Sequence, residues 1–244
     1  SVEAGSIDQP ICDRRGDLIC ADWGYAYLAS TNGSGKSVSL GDYYGMKESF
    51  VKNGTLATTK TKWTTRKEED NPAMAYVHNL GSVSNSGKEG FMMLGYDDIY
   101  SIEYMYEKRM GYWKHDGKVT IFDAFEKLRD NYQAIMERCR AFDELIYDDA
   151  EKAGGKKYAE ICSASYRQVI SAHKLFTDKE GNLLWFSKEN NSNGCINTVD
   201  LTYPSAPLFL AYNPDGTVSL QILESSQIDM NDPEKKAMFE KGTH

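Results

Sequence analysis

Hydrophobic residues along the chain change their period near residue 113. Before that point, short apolar and aromatic-rich segments are broken by Gly, Ser and Asn. Asp22 to Ala29 (DWGYAYLA) and Gly90 to Met105 (GFMMLGYDDIYSIEYM) read as strands, because aromatic and β-branched side chains suit a half-buried pleated surface. Asn32-Gly33-Ser34-Gly35 and Asn53-Gly54 are turn signals, and Thr58 to Asn71 reads as an exposed loop or a sheet edge. Further on, Ile121, Phe125, Leu128, Tyr132, Ile135, Cys139, Phe142 and Ile146 recur at steps of three and four, on one stripe of a long helix. Thr120 or Asp123 is placed to contribute at its N-terminus, and Gly154-Gly155 stops it. Tyr158, Ile161, Cys162, Ser165, Val169, Ala172 and Phe176 repeat the spacing, which predicts a second helix ending near Thr177. Two helices joined by so short a turn pack antiparallel as an αα-hairpin.

Beyond the second helix, Asp178 to Asn182 is a tight turn, and Leu183 to Phe186 suits a small β-hairpin or a loop across the helix ends. Ala206 to Tyr212 reads as a short helix with Pro207 in its first turn. Thr217 to Leu223 alternates like a strand, and Asp232 to Lys241 suits a short helix. The pattern predicts an α+β chain. A β-rich domain spans residues 1–112, a helical-hairpin domain 113–215, and a polar tail 216–244.

With 244 residues, 41% of them hydrophobic and 26% charged, the chain has enough apolar surface for a sizeable core and is no disordered tail. A net charge of −8 repels phosphate backbones, which argues against nucleic-acid partners. No apolar run approaches the roughly 20 residues of a membrane helix, so no membrane partner is expected. Ser1 is not an initiator methionine, which leaves open a removed leader or a cut in the expressed chain. The five cysteines form no CxxC pair and no zinc spacing, so neither metal nor other cofactor is expected. The odd count leaves at least one thiol free; a Cys12–Cys20 bridge is open, with free, mostly buried thiols favoured. GxSxG, P-loop, GxGxxG and HExxH patterns are absent, against the common hydrolase, nucleotide-binding and zinc-protease readings.

Candidate chemistry gathers between Ser187 and Pro204, a polar stretch between apolar segments. Glu189 is the general acid or base candidate, Asp200 the second carboxylate, Lys188 the cation, and Asn190 and Asn193 the amide donors; Tyr203 completes the substrate-binding set. The plain alternative is a solvated loop whose Asn and Asp residues satisfy their own backbone. Asp97-Asp98, adjacent carboxylates in an aromatic segment, form a second candidate, set against a simple strand-end cap. Arg167 has the fork to hold a carboxylate, or pairs with the acidic surface. His173, placed on the second helix, reads first as a packing residue.

These segments resemble a known family. DWGYAYLA (22–29), DDIYSIEY (97–104), RCRAFDEL (138–145), AGGKKYA (153–159), YRQVISAHKL (166–175) and FSKENNSNGCINTVDLTYPSAPLFL (186–210) are similar in order and content to the glutaminase A family. The resemblance covers about residues 8–214. It implies a β-rich, sandwich-like N-terminal region followed by antiparallel α-hairpins that form part of an (α/α) six-hairpin toroid. It also implies a secreted or periplasmic setting and hydrolysis of L-glutamine to glutamate and ammonia. The family continues past Asn213-Pro214 with further helices, so the chain reads as C-terminally truncated. An incomplete ring would leave an apolar flank to be covered by the β region, the tail or self-association with a second chain, and its activity would be in question.

Amide hydrolysis needs an attacking nucleophile or water, donors for the oxyanion and an acid for the departing ammonia. Residue type and clustering assign Glu189 as base or acid, Asp200 as its partner or the ammonium anchor, and Lys188 or Arg167 as the carboxylate anchor, with Asn190 and Asn193 at the oxyanion. Ser187 as nucleophile ranks lower. Two other readings stand beside this one. One is a glycoside hydrolase with paired carboxylates acting on a sugar-like substrate. The other is a non-catalytic binding fragment.

Overall fold

The computed structural model describes residues 1–6, 8–13, 23–31, 35–57, 71–188 and 195–212. Two compact units emerge, Ser1–Pro10 with Asp22–Ile99 and Ile11–Ala21 with Tyr100–His244.

The first unit is built on strands β1 (Val2–Gly5), β2 (Tyr25–Ala29), β3 (Lys36–Asp42), β4 (Pro72–His78) and β5 (Met93–Asp97), with helix α1 (Tyr43–Asn53) between β3 and β4. β2 is the centre of an antiparallel β1-β2-β5 sheet, and β3 pairs antiparallel with β4. The aromatic, alternating sequence of β2 buries Tyr27, Leu28 and Ala29. Burial, reinforced by Glu3, which Tyr27 also hydrogen-bonds, and then by Asp97 and Tyr25, pushes the Tyr27 hydroxyl up to about 12. α1 lies inside the region read as β. Asp42 caps it by accepting from the Gly45 N–H at 2.7 Å, and Gly54 closes it at φ 67°, its N–H donating to the Phe50 carbonyl at 2.8 Å. The Asn53-Gly54 turn signal is therefore a helix C-cap. Met46 alone of the α1 residues is buried, so no apolar stripe announces the helix in the sequence.

The second unit opens with the short pair β6 (Ile102–Tyr104) and β7 (Glu107–Arg109) and a 3-10 turn over Tyr112–Lys114. Helices α2 (Ile121–Asp130), α3 (Tyr132–Gly154) and α4 (Lys156–Ser171) follow, then strands β8 (His173–Thr177) and β9 (Leu183–Ser187) and helix α5 (Val199–Tyr212). Thr120 and Asp123 form a reciprocal capping box on α2. The predicted long helix breaks at Asn131 (φ −110°, ψ 12°), whose side chain donates to the Lys127 carbonyl at 2.8 Å. Gly155, at φ 79°, links α3 to α4, and the two form the expected antiparallel hairpin, with Phe142 against Tyr166 at 5.0 Å between ring centres.

The second helix stops at Ser171, not near Thr177. His173–Thr177 is a strand, paired with β9 in the register His173↔Ser187 to Thr177↔Leu183. The turn between them is held by Asp178, whose carboxylate accepts from the Asn182 N–H at 2.7 Å. Tertiary burial overrides the helical period here. Phe176, fully buried, joins Ile102, Leu184 and Phe186 in the core, with Tyr104 and Ile196 against it. Tyr104 meets Phe176 and Phe186 edge-on at 5.8 and 5.5 Å.

α5 begins at Val199, well before the expected Ala206, and contains Pro204 as well as Pro207. Both prolines are exposed, while Thr202, Ala206 and Phe209 are buried on the other side. The carbonyls that lose a partner to proline thus open towards water, and the buried stripe holds the helix in place. The α+β architecture, a β-rich N-terminal region followed by an antiparallel α-hairpin, agrees with the sequence expectation. Among the described residues no helix is long and apolar enough to cross a membrane. The predicted strand 217–223 and helix 232–241 lie outside the described residues, as do Asp22, Cys20 and most of the predicted loop 58–71.

Gly24 shows how tightly β2 enters the first sheet. It sits at φ 98°, its N–H donates to the Gln9 side chain at 2.6 Å, and a Cβ there would meet the Asp97 carbonyl oxygen at 2.6 Å. Gly24→Ala is expected to lower stability by about 2–3 kcal/mol, since strain and a backbone clash add. Urea unfolding measures it, and an unchanged midpoint would disprove the close approach.

Candidate functional site

Alternation along the β8–β9 pair sorts its side chains onto two faces. Phe176, Leu184 and Phe186 point into the core. His173, Leu175, Trp185 and Ser187 share the opposite face, and α5 packs there. Phe209 of α5 lies 4.6 Å from the Trp185 ring and 4.9 Å from the His173 ring, and the His173 and Trp185 rings are 5.6 Å apart.

A polar network adjoins these rings. Ser187, 2% exposed, and Thr202, 4% exposed, share a hydrogen bond of 2.9 Å between their hydroxyls. The Thr202 hydroxyl also meets the Asn197 side-chain oxygen at 3.0 Å. Asn197, at φ 52°, donates its N–H to the Ser187 carbonyl at 2.8 Å. Lys188 and Ile196 form a β-bridge, and the Lys188 N–H donates to the Ala172 carbonyl at 2.8 Å. The two ends of the segment from Lys188 to Ile196 are thus fastened side by side on a buried base of hydroxyl and amide groups. Left-handed backbone suits asparagine better than most residues, which fits Asn197 for the return.

His173 is the titratable group of this face. One ring nitrogen, Nδ1, meets the Val169 carbonyl oxygen at 2.6 Å, while Nε2 is buried without a hydrogen-bond partner among the described residues. Burial holds its pKa below the usual histidine range, partly offset by the Val169 contact. A neutral imidazole between two aromatic rings is the result.

The residues chosen from the sequence fall as follows. Lys188 is half-buried at the base of the polar segment. Asp200 is exposed in the first turn of α5, where a carboxylate complements the helix dipole; the polar loop it was read into is helix from Val199 onward. Tyr203, on the same helix, is 75% exposed. Arg167 on α4 forms an exposed ion pair with Asp143 on α3 across the hairpin. Glu189, Asn190 and Asn193 lie outside the described residues. Asp97 and Asp98 belong to the first unit: the Asp97 carboxylate accepts from the Ile99 N–H at 2.8 Å, and Asp98 is 6% exposed. Thr202, Asn197, Trp185 and Phe209 were not singled out from the sequence. The readable signal was the 202, 206, 209 spacing, a helical stripe obscured by two prolines. No group of three or more His, Cys, Asp or Glu side chains among the described residues is placed to hold a metal ion.

Comparison with known proteins adds the lineage. A family model described as the glutaminase A six helical-hairpin domain matches residues 155–225, and one described as a domain of unknown function, DUF5127, matches residues 1–149. Glutaminase A from Aspergillus oryzae is 31% identical over 231 residues, which is 92% of this chain and 33% of that protein. The chain belongs to the glutaminase A family. Another member-like relative, a protein from Arthroderma benhamiae named Probable glutaminase, is 33% identical over 97 residues, 39% of this chain and 11% of its own length. This glutaminase A family chain therefore spans about a third of the length of the Aspergillus protein. No solved structure matches it.

Two outcomes follow from the network and its histidine. Thr202→Val should cost about 1–3 kcal/mol, because it leaves the Ser187 hydroxyl buried without its partner, while Thr202→Ser should cost less. Denaturant unfolding distinguishes them, and equal losses would remove the hydroxyl from the explanation. For His173 the unfolded chain takes up a proton near the ordinary 6.5 while the folded chain does not, so stability is present above that pH and lost as pH falls below it. His173→Phe should lack that part of the acid-side loss when wild type and variant are unfolded at a series of pH values. An identical pH profile in the two proteins would show that the histidine is not held neutral.

Proposed function

We propose that this chain carries part of a glutaminase-type amidohydrolase, acting on the side-chain amide of L-glutamine to yield glutamate and ammonia. The observation that carries the reading is the 31% identity to a protein named Glutaminase A, which extends over 92% of the chain. The pairing of Lys188 with Ile196, at the two ends of the polar segment, supports it. A substrate with an amide, a carboxylate and an ammonium asks for donors, a cation and an anion in one place. Lys188 is the proposed anchor for the α-carboxylate. Glu189 is the proposed acid–base, delivering a proton to the departing ammonia after water adds to the amide carbonyl. Asn190 and Asn193 are the proposed oxyanion donors, and Asp200 the proposed anchor for the α-ammonium. In this scheme the Ser187–Thr202–Asn197 network does no chemistry. It fixes the position of Lys188 at the end of the sheet, and a small displacement of such a base costs much in rate.

The deciding experiment measures ammonia release from L-glutamine and sugar release from a panel of glycans, with the chain as it stands and with a full-length relative. Ammonia release that falls at least about a hundredfold in Glu189→Gln is expected, with no sugar release. Sugar release in place of ammonia, or full turnover in Glu189→Gln, would overturn the assignment.

A further inference from the structure

Helix α1 ends in a motif that the fold itself does not use. Asn53, Gly54 and Thr55 form Asn-X-Thr with X other than proline, the acceptor pattern for N-linked sugar. Two further copies, starting at Asn32 and Asn190, lie outside the described residues. So short a pattern often arises by chance, and its surroundings decide whether it can carry a sugar. Transfer to a chain entering the secretory pathway precedes folding, so the folded structure must accommodate what has been added. Asn53 is the last residue of α1 and is exposed, as are Gly54 and Thr55. Gly54 holds the left-handed conformation at φ 67°, its N–H donating to the Phe50 carbonyl at 2.8 Å, and this cap turns the chain off the helix directly after Asn53. A Cβ built on Gly54 meets nothing within 4 Å. The Asn53 amide and the Thr55 hydroxyl make no hydrogen bond among the described residues. Attachment at Asn53 therefore enters open space and breaks no side-chain hydrogen bond.

An exposed aromatic ring beside the motif is a second, separate observation. Phe50 is 47% exposed, although phenylalanine is among the residues most often found inside. It stands three residues before Asn53, and residues at that spacing are neighbours on one helix face, about 5–6 Å apart at Cβ. The ion pair of Lys52 with Glu48 at 2.5 Å occupies a different face of α1. The face of an aromatic ring is negative and attracts polarised C–H groups, and one side of a sugar ring presents a row of them. Phe50 thus stands where the first sugar on Asn53 can lie.

We propose that Asn53 is the acceptor of an N-linked glycan whose first sugar packs on Phe50. The donor is an oligosaccharide carried on a lipid diphosphate. In the transfer, Asn53 Nδ2 bonds to the anomeric carbon of the first sugar. The bond from that carbon to the diphosphate oxygen breaks, and the lipid diphosphate leaves. The amide gives up one proton to a base of the transferase, and nothing is oxidised or reduced. Thr55 supplies the hydroxyl by which the acceptor is recognised. The site lies in the first unit and is independent of the glutaminase reading.

Expression of the chain behind a secretion leader in yeast, with peptide mass spectrometry of the protein recovered from cells and medium, tests it. Enzymatic release of the glycan in heavy-oxygen water turns a glycosylated asparagine into a labelled aspartate, which separates it from spontaneous deamidation at Asn-Gly. Peptide mapping reads residue 53 apart from residues 32 and 190. Label at residue 53 is expected in the wild-type chain and in Thr55→Ser, and its loss in Thr55→Ala. An unlabelled Asn53 in the wild-type chain, or label undiminished in Thr55→Ala, overturns the site. A cycle of variants tests the role of Phe50. The glycosylated chain should unfold at a higher urea concentration than Thr55→Ala, and the gap should shrink when both also carry Phe50→Ala. An equal gap in the two backgrounds overturns the packing of the sugar on Phe50. All three positions are exposed, and circular dichroism checks that the variants fold.

Discussion

Ser187 and Thr202 bury two hydroxyls against each other, and the arrangement of the second unit around the candidate site depends on that contact. A buried hydroxyl stripped of water needs a partner, so the end of β9 and the first turns of α5 are obliged to meet in one register. Once they do, Asn197 closes the return by bonding both the Thr202 hydroxyl and the Ser187 carbonyl. Phe209, two turns further along α5, then falls against His173 and Trp185. The strand pair thus has a dry aromatic face towards β6 and a mixed face towards α5. The division matters because the dry face supplies rigidity and the mixed face supplies polar atoms. A site built on paired strands is held more closely than one on a free loop.

Helix α5 illustrates how a locally unfavourable sequence is carried by its surroundings. Two prolines in one helix remove two hydrogen-bond donors. The helix persists because the opposite side buries Thr202, Ala206 and Phe209. Tyr203 and Leu210 remain exposed beside that stripe, as do Tyr158 and Ile161 on α4. Several residues of the predicted α2–α3 stripe behave alike: Phe125 and Ile146 are buried, whereas Leu128 and Tyr132 are exposed. The apolar stripe is wider than the surface that one hairpin covers, and the chain represents about a third of its Aspergillus relative.

Desolvation leads the electrostatics of both units. In the first, burial raises the Tyr27 phenol, and Glu3 and then Asp97, on the same β1-β2-β5 sheet, add to it. In the second, desolvation alone holds His173 neutral, and the exposed pairs Arg167–Asp143 and Lys179–Glu107 are solvated contacts of small energetic weight. Arg167 shows the consequence for reading function from residue type. A guanidinium with a fork suited to a carboxylate has found one within its own helical hairpin.

Local signals were enough to define the helical hairpin. Steps of three and four residues, Thr120 with Asp123 as a cap and Gly154-Gly155 as a stop are properties of neighbouring residues, and they hold through α2, α3 and α4 apart from the break at Asn131. The Asp178 to Asn182 turn was legible for the same reason, and the order of the family's motifs gave the lineage. Three features were decided only in three dimensions. His173 to Phe176 continues the helical period of α4, yet forms a strand, because Phe176 gains more by joining Ile102, Leu184 and Phe186 than by extending the helix. α1 carries too little apolar pattern to be seen, and only its end caps mark it. The hydroxyl pair of Ser187 and Thr202 joins residues fifteen apart across a helix start that prolines disguise. Periodicity reports which side of an element is apolar. It holds no information on which distant polar atom will be available when that side is buried, and that pairing is what sets the register of β9 against α5.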